Sequence, residues 1–235
     1  MRALALILVL LCTPALAVDV HTYIPAQAPA LLPQLRAMQE SVWPDAPTPS
    51  FLPAQIEQES CISLTHSRCW NPRSQLKTSR EWGRGLGQVT TAYRADGSIR
   101  FDKQAELRAM YPSLRGWSDA NWADPKYQLT ALVEMDHGIY RRVAGAATIP
   151  DRLSFTLSAY NGGESGVRQD RLLCRNTAGC DPDVWAGHVE RYSLKTRKVN
   201  PGYGASAFDI NREYVHNVMH LRRPKYDQFF QKINK

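Results

Sequence analysis

The stretch AQIEQESC, residues 54–61, carries two glutamates two positions apart, Glu57 and Glu59. A carboxyl group can donate a proton to a leaving oxygen and later accept one, provided that burial raises its pKa toward neutrality. Two positions along a helix correspond to about 200° of rotation, so the two glutamates face in nearly opposite directions. At most one of them is expected to do this chemistry.

The residues around the pair favour Glu59. In a helix that starts near Pro49, Leu52, Ile56 and Glu59 follow the i, i+4, i+7 spacing of a single face. The pattern predicts a partly buried Glu59 with the raised pKa that a general acid needs. A structural carboxylate paired with an arginine is the alternative. Glu57 is expected on the solvated face, where Glu57→Gln should leave activity nearly intact.

Two other acidic residues are candidates for a second carboxylate. Asp136 lies on the apolar stripe of a predicted helix, where pairing with a nearby arginine is the favoured interpretation. Glu81 borders the Gly-rich stretch GRGLGQ and is the better candidate, although surface exposure is the default for it.

Other catalytic patterns fail on spacing. GRGLGQ lacks the strand–turn–helix context of a dinucleotide or phosphate loop, and GGESG lacks the spacing of a nucleophile elbow. The six histidines do not show the paired spacing of a zinc hydrolase. The sequence predicts neither a cofactor nor a metal.

The N-terminus indicates export. Residues 1–17 combine one charge, an apolar run and an Ala-x-Ala ending, which predicts a signal peptide cleaved after Ala17. The run is too short to span a membrane, so we expect a periplasmic or secreted protein with no membrane span after processing. The net charge of +7 suits an anionic wall polymer or membrane surface, and no nucleic-acid-binding motif is present.

The mature chain keeps four cysteines, which is an even number typical of disulfides in exported proteins. Three pairings are possible, and proximity in sequence favours Cys61 with Cys69 and Cys174 with Cys180. A zinc site that includes His66 is an alternative that the spacing and the oxidising compartment disfavour.

The predicted fold class is mainly α, a single helical domain with a small irregular or β-containing lobe flanking a cleft. Residues 66–91 are expected to form loops or short strands, and residues 168–208 to be rich in loops. Domain boundaries are placed at 1–17 for the signal peptide, 18–49 for an N-terminal helix and Pro-rich connector, and 50–235 for the main domain. Helices are predicted over 29–43, 103–111, 124–143, 151–163 and 209–221.

Four motifs, IEQES, GLGQV, SAYNGGESGV and INREYV, follow one another in this order. Together they resemble the soluble lytic transglycosylase family, whose domain is lysozyme-like, over residues of about 50 to about 220. Gly87 stands where the family pattern has Met, and Gly162 where it has Ala. The first departure removes a side chain that helps to line the sugar cleft.

The resemblance implies that Glu59 cleaves the bond between N-acetylmuramic acid and N-acetylglucosamine in peptidoglycan strands and leaves a 1,6-anhydro end. It implies a monomer in which Tyr160 and Asn161 contact sugar or orient Glu59, and Tyr214 packs against Glu59 or bonds to it. The expected cleft residues are Ser60, Gln88, Tyr160, Asn161 and Tyr214, with Trp70, Trp82 and Tyr93 as further candidates for stacking on sugar rings.

Two other functions remain open at this point. One is a hydrolytic lysozyme that uses water in place of the C6 hydroxyl, with Glu81 or Asp136 as its second carboxylate. The other is an exported wall-binding or assembly protein that keeps the fold without turnover.

Overall fold

The computed structural model of the chain describes residues 18–200, 202 and 204–230. The predicted signal peptide, residues 1–17, lies outside the described residues. Within them the protein is mainly helical with a small antiparallel sheet, as predicted. No helix in this described part is both long enough and apolar enough to cross a membrane.

The elements follow the chain as four segments. The first two helices precede the four-stranded sheet, a short helix and then the longest helix follow it, and the remaining helices close the fold. The helices are α1 Ala28–Val42, α2 Phe51–Ser60, α3 Lys103–Met110, α4 Pro125–Arg142, α5 Ile149–Gly162, α6 Glu164–Arg175, α7 Ala207–His216 and α8 Arg223–Phe230. The strands are β1 Gln75–Lys77, β2 Glu81–Arg84, β3 Val89–Tyr93, β4 Ile99–Asp102, β5 Val199–Asn200 and β6 Ala205–Ser206.

Local sequence explains where four of the helices begin and where α5 ends. Asp102, Asp124, Thr148 and Ser206 cap α3, α4, α5 and α7 by accepting a backbone N–H in the first turn. Gly163 ends α5 with a φ of 82°, a conformation that glycine adopts without steric cost. The end of this helix, predicted at residue 163, is therefore confirmed to within one residue.

The core lies between α4 and its neighbours. Helix α4 packs against α1 on one side and α5 on the other, and α5 in turn packs against α6 and α7. Helix α2 lies against α8 and the segment 217–222. Every residue of α2 except Gln58 and Glu59 is buried, so this helix runs through the interior.

The sheet has the order β1-β2-β3-β4 with antiparallel pairing throughout. It corresponds to the predicted β-containing lobe. The turn between β2 and β3 carries the Gly-rich stretch, and its residues 83–87 are buried. Helix α3 packs against β3 and supports the sheet from one side.

Two helical regions extend beyond the prediction. Helix α6 was not predicted and continues to Arg175, inside the stretch expected to be loop-rich. Its buried side chains at 167, 170 and 174 lie on one face, an amphipathic pattern that the prediction overlooked. The last helix continues through a π-helical segment, residues 217–222, into α8. Pro224 lacks the N–H that would bond the carbonyl of His220, which explains the widened turn just before it.

The solvated position predicted for Glu57 is wrong. Its side chain is fully buried, with Lys225 Nζ 2.8 Å from Oε2 and the Tyr226 hydroxyl donating to Oε2 at 2.6 Å. Arg222 Nε lies 3.3 Å from Oε1 as a further ion pair. The face of α2 opposite the apolar stripe is covered by the C-terminal helix, so Glu57 joins two parts of the chain that are far apart in sequence.

Glu57→Gln is therefore expected to destabilise the fold by about 3–5 kcal/mol, because it leaves buried cations without their counter-charge. Urea denaturation followed by circular dichroism measures the loss. Glu40→Gln is the matched control: its ion pair with Arg36 is at the surface, and its removal should cost less than about 1 kcal/mol. Equal effects of the two substitutions would contradict a structural role for Glu57.

Candidate active site

Glu59 lies in the last turn of α2, and the Tyr214 hydroxyl donates a hydrogen bond to its Oε1 at 2.6 Å. Burial of the carboxyl group raises the pKa of Glu59 to about 7, although the bond from Tyr214 acts in the opposite direction. The negative end of the α2 dipole also disfavours the charged form. No basic side chain among the described residues forms an ion pair with Glu59, so the group can exchange a proton near neutral pH.

Ser60 holds the end of α2 in place. Its hydroxyl donates to the carbonyl of Ile56 at 2.7 Å and accepts the N–H of Trp70 at 3.0 Å. The residue is buried, and the disulfide between Cys61 and Cys69 closes the same short loop. Ser60 therefore positions Glu59, and its hydroxyl is not exposed for a substrate.

Tyr214 stacks on Tyr160, with ring centroids 6.5 Å apart and planes inclined by 10°. Burial raises the pKa of the Tyr214 hydroxyl well above its ordinary value, so this group stays a neutral donor. The predicted contact of Tyr214 with Glu59 is present as a hydrogen bond. The stacked pair joins α5 and α7 directly beside the carboxyl group.

Gly87 has a structural partner in Tyr160, whose hydroxyl donates to the Gly87 carbonyl at 2.7 Å. A Cβ at position 87 would lie 2.7 Å from that hydroxyl oxygen and 3.1 Å from Leu132 Cδ1. The missing side chain thus leaves room that the protein's own tyrosine occupies, and the tyrosine ties the β-lobe to α5.

Gln88 completes the turn between β2 and β3. It has a φ of 44°, and its Nε2 donates to the carbonyl of Gly85 at 2.9 Å. Gly83 and Gly85 are closely approached by side chains of the same chain, since a Cβ would lie 2.7 Å from Gln88 Oε1 or 2.4 Å from the Gln128 carboxamide carbon. The turn is held by Gln88 and Gln128, and a contact of Gln88 with substrate stays a prediction.

Asn161 is exposed at the end of α5, and its Oδ1 accepts a hydrogen bond from Asn211 Nδ2 at 2.9 Å. Asn211 is buried and also bonds to Ser158 and to Arg212. These bonds fix the amide of Asn161 with its oxygen inward, so its Nδ2 is the group offered outward. Sequence reasoning missed Asn211, although it lies three residues before Tyr214 and hence on the same face of α7.

The predicted pairing of Asp136 with an arginine is wrong. Asp136 is fully buried, its Oδ1 receives a bond of 3.5 Å from Gln55 Nε2, and its Oδ2 has no hydrogen-bond partner among the described residues. Burial, and then the neighbouring charge of Glu59, raise the pKa of Asp136 well above its ordinary value. Asp136 is a fully buried acid whose protonated form is favoured by that burial.

Glu81, Trp82 and Tyr93 lie in the β-lobe. Glu81 is a half-buried residue of β2, directly opposite Ala92 in β3. Trp82 has Arg84 and Lys77 over its ring at 4.5 and 4.8 Å, and Tyr93 is half-buried at the end of β3. Trp70 is fully buried against Tyr226, so its predicted stacking on a sugar ring is wrong.

Both predicted disulfides, Cys61 with Cys69 and Cys174 with Cys180, are confirmed. Cys61 and Cys69 do not form the alternative zinc site with His66, because their sulfur atoms are bonded to each other. The part of the chain that the structure describes also contains no cluster of three or more acidic, histidine or cysteine side chains able to hold a metal.

The fold and site define a mainly helical protein in which the partly buried acid Glu59 is bonded to Tyr214, which stacks on Tyr160, the residue that ties α5 to the β-lobe. No protein-family model matches the chain, and no curated protein matches it either.

The Gly87–Tyr160 contact predicts a specific double-mutant result. Gly87→Ala is expected to destabilise the protein by about 1–3 kcal/mol, because the new Cβ displaces the Tyr160 hydroxyl. In the background of Tyr160→Phe, which lacks that hydroxyl, the same change should cost clearly less. Thermal unfolding of the four proteins gives the coupling, and strictly additive effects would contradict the contact.

Proposed function

We propose that the protein is a peptidoglycan lytic transglycosylase, an enzyme that cleaves the β-1,4 bond between N-acetylmuramic acid and N-acetylglucosamine. The supporting observation is Glu59, whose buried carboxyl group has a pKa of about 7 and a bond from Tyr214. A general acid that must later act as a base works best with its pKa near the operating pH.

In the first step, Glu59 protonates the glycosidic oxygen, and the bond from that oxygen to C1 of the muramyl residue breaks. The N-acetylglucosamine residue leaves with a free 4-hydroxyl. The carbonyl oxygen of the muramyl acetamido group stabilises the positive C1. Glu59 is now a carboxylate, and the hydroxyl of Tyr214 stabilises its charge by the hydrogen bond to Oε1.

In the second step, the Glu59 carboxylate removes the proton of the muramyl C6 hydroxyl. The C6 oxygen bonds to C1 and closes the 1,6-anhydro ring. Glu59 ends protonated, as it began, and no water is consumed. One carboxyl group serves both transfers because they occur in sequence on the same sugar.

A lysozyme with two carboxylates needs a second accessible acid. Asp136 is fully buried, and burial favours its protonated form, so it serves neither as nucleophile nor as base for a water molecule, and Glu81 is the candidate left to test. Asn161 offers its Nδ2 beside the stacked tyrosines, where it can donate to a carbonyl such as that of the acetamido group.

The products of digestion test this function. Purified protein acting on peptidoglycan sacculi should release muropeptides that end in 1,6-anhydro-N-acetylmuramic acid, lighter by one water than hydrolysed ends in mass spectrometry. Glu59→Gln should lower the rate by about two to four orders of magnitude with folding retained. Glu81→Gln and Asp136→Asn are matched controls that each remove one carboxyl group, and both should keep most of the activity.

Hydrated ends in place of anhydro ends would identify a hydrolytic lysozyme. A loss of activity in Glu81→Gln equal to that in Glu59→Gln would assign the second carboxylate to Glu81. Release of no soluble fragments, with normal binding of sacculi by wild type and Glu59→Gln, would identify a wall-binding protein instead.

The raised pKa of Glu59 predicts the pH dependence of activity. The reaction starts from the protonated form, so kcat/KM should fall about tenfold per pH unit above about pH 7. A profile from pH 5 to 9 on solubilised glycan strands measures this limb. Activity that stays constant up to pH 9 would contradict Glu59 as the general acid.

A further inference from the structure

Lys195 lies over the junction between α5 and α6, at the outer end of the site. Its Nζ is 2.8 Å from the place where a Cβ of Gly166 would be, and its Cε is 2.8 Å from the corresponding place at Gly162. Its side chain is only 16% exposed. Gly162 and Gly166, which have no side chains, therefore form a surface, the shelf, against which the ammonium group lies.

The charges around Lys195 do not balance. Its nearest anion is Asp170, whose Oδ2 is 3.5 Å away and already accepts a bond of 2.8 Å from Arg212. The Asp170 Oδ1 accepts from Ser193 at 2.7 Å. Two cations thus share one buried carboxylate, and Lys195 has the longer and weaker of the two ion pairs. A partly buried ammonium group that shares its counter-charge with a second cation is stabilised by an additional anion.

The shelf is continuous with the site. Asn211 Nδ2 also lies 2.8 Å from the Cβ place at Gly162, so Lys195 and Asn211 meet above that residue. Asn211 holds Asn161, and Tyr214, one turn further along α7, holds Glu59. Alanine at position 162, which the resembled family has, would displace both side chains.

We infer that Lys195, on the shelf of Gly162 and Gly166, forms a carboxylate-binding subsite beside Asn161. The inference rests on the proposed function, because the carboxylates of peptidoglycan lie on its peptide stems, or on the lactyl group of a muramyl residue whose stem has been removed. Both sources present a carboxylate close to the glycan chain. The ammonium of Lys195 binds this group and fixes the strand relative to Glu59.

Binding in the inactive Glu59→Gln background tests the subsite without turnover. The ligands are glycan strands with peptide stems, strands stripped by an amidase so that lactyl carboxylates are free, and an uncharged chitooligosaccharide. Lys195→Gln should weaken binding of at least one carboxylate-bearing ligand about tenfold and leave the chitooligosaccharide unchanged. Lys198→Gln is the matched control, since it removes the same charge from an exposed position in the same segment.

Gly166→Ala is a second variant that keeps the lysine. Its Cβ would lie 2.8 Å from the present position of Lys195 Nζ, so the ammonium group must shift. Thermal unfolding of the same variant is measured alongside, and a loss of binding at an unchanged melting temperature cannot come from unfolding. Loss with the stem-bearing strands alone assigns the stem carboxylate, and loss with the stripped strands alone assigns the lactyl carboxylate.

Unchanged binding of both charged ligands, or an equal loss with the uncharged one, would overturn the subsite. Failure of the proposed function is a separate result, because it would show as a lack of anhydro ends from sacculi whatever the binding data.

Discussion

A carboxylate removed from water loses several kcal/mol of solvation unless cations and hydrogen bonds replace it, and α2 carries two carboxyl groups into the protein. Glu57 is surrounded by Lys225, Arg222 and Tyr226. Glu59 receives one hydrogen bond from a neutral phenol. The ion pairs of Glu57 join α2 to the C-terminal helix α8, while burial raises the pKa of Glu59 to about 7. These partners explain why, of the two glutamates in AQIEQESC, Glu57 has a structural role and Glu59 is the candidate for chemistry.

Several contacts that hold the site together are possible only because glycine has no side chain. Tyr160 reaches the carbonyl of Gly87, Gln128 covers Gly85, and Lys195 lies against Gly162 and Gly166. Each glycine lets a polar group from a distant element approach the backbone closely. Two of these glycines replace larger residues of the resembled family, and in both cases a side chain of this protein fills the space. At Gly87 and Gly162, where the sequence differs from the family pattern, a side chain from elsewhere in this protein therefore occupies the space.

Much of the fold was predictable because it depends on local signals. The apolar period located most of the helices, and the short spacing of the cysteines favoured the disulfide pairs that are present. Helix α6 was missed although its sequence has a helical amphipathic pattern; the face that carries Val167 and Cys174 also carries Asp170, which its bonds to Arg212 and Ser193 make tolerable there. Asp136 was misread because an acid can also be buried in its protonated form, without pairing with an arginine.

The sequence by itself determined that Glu59 shares a helical face with Leu52 and Ile56, because helical geometry follows from spacing alone. It also located the motifs that contain Tyr160, Asn161 and Tyr214. Only the tertiary structure decided that the opposite face of α2 is buried too, because the helix that covers Glu57 lies more than 160 residues further along the chain. Burial on both sides depends on which distant elements meet, and no local period encodes that.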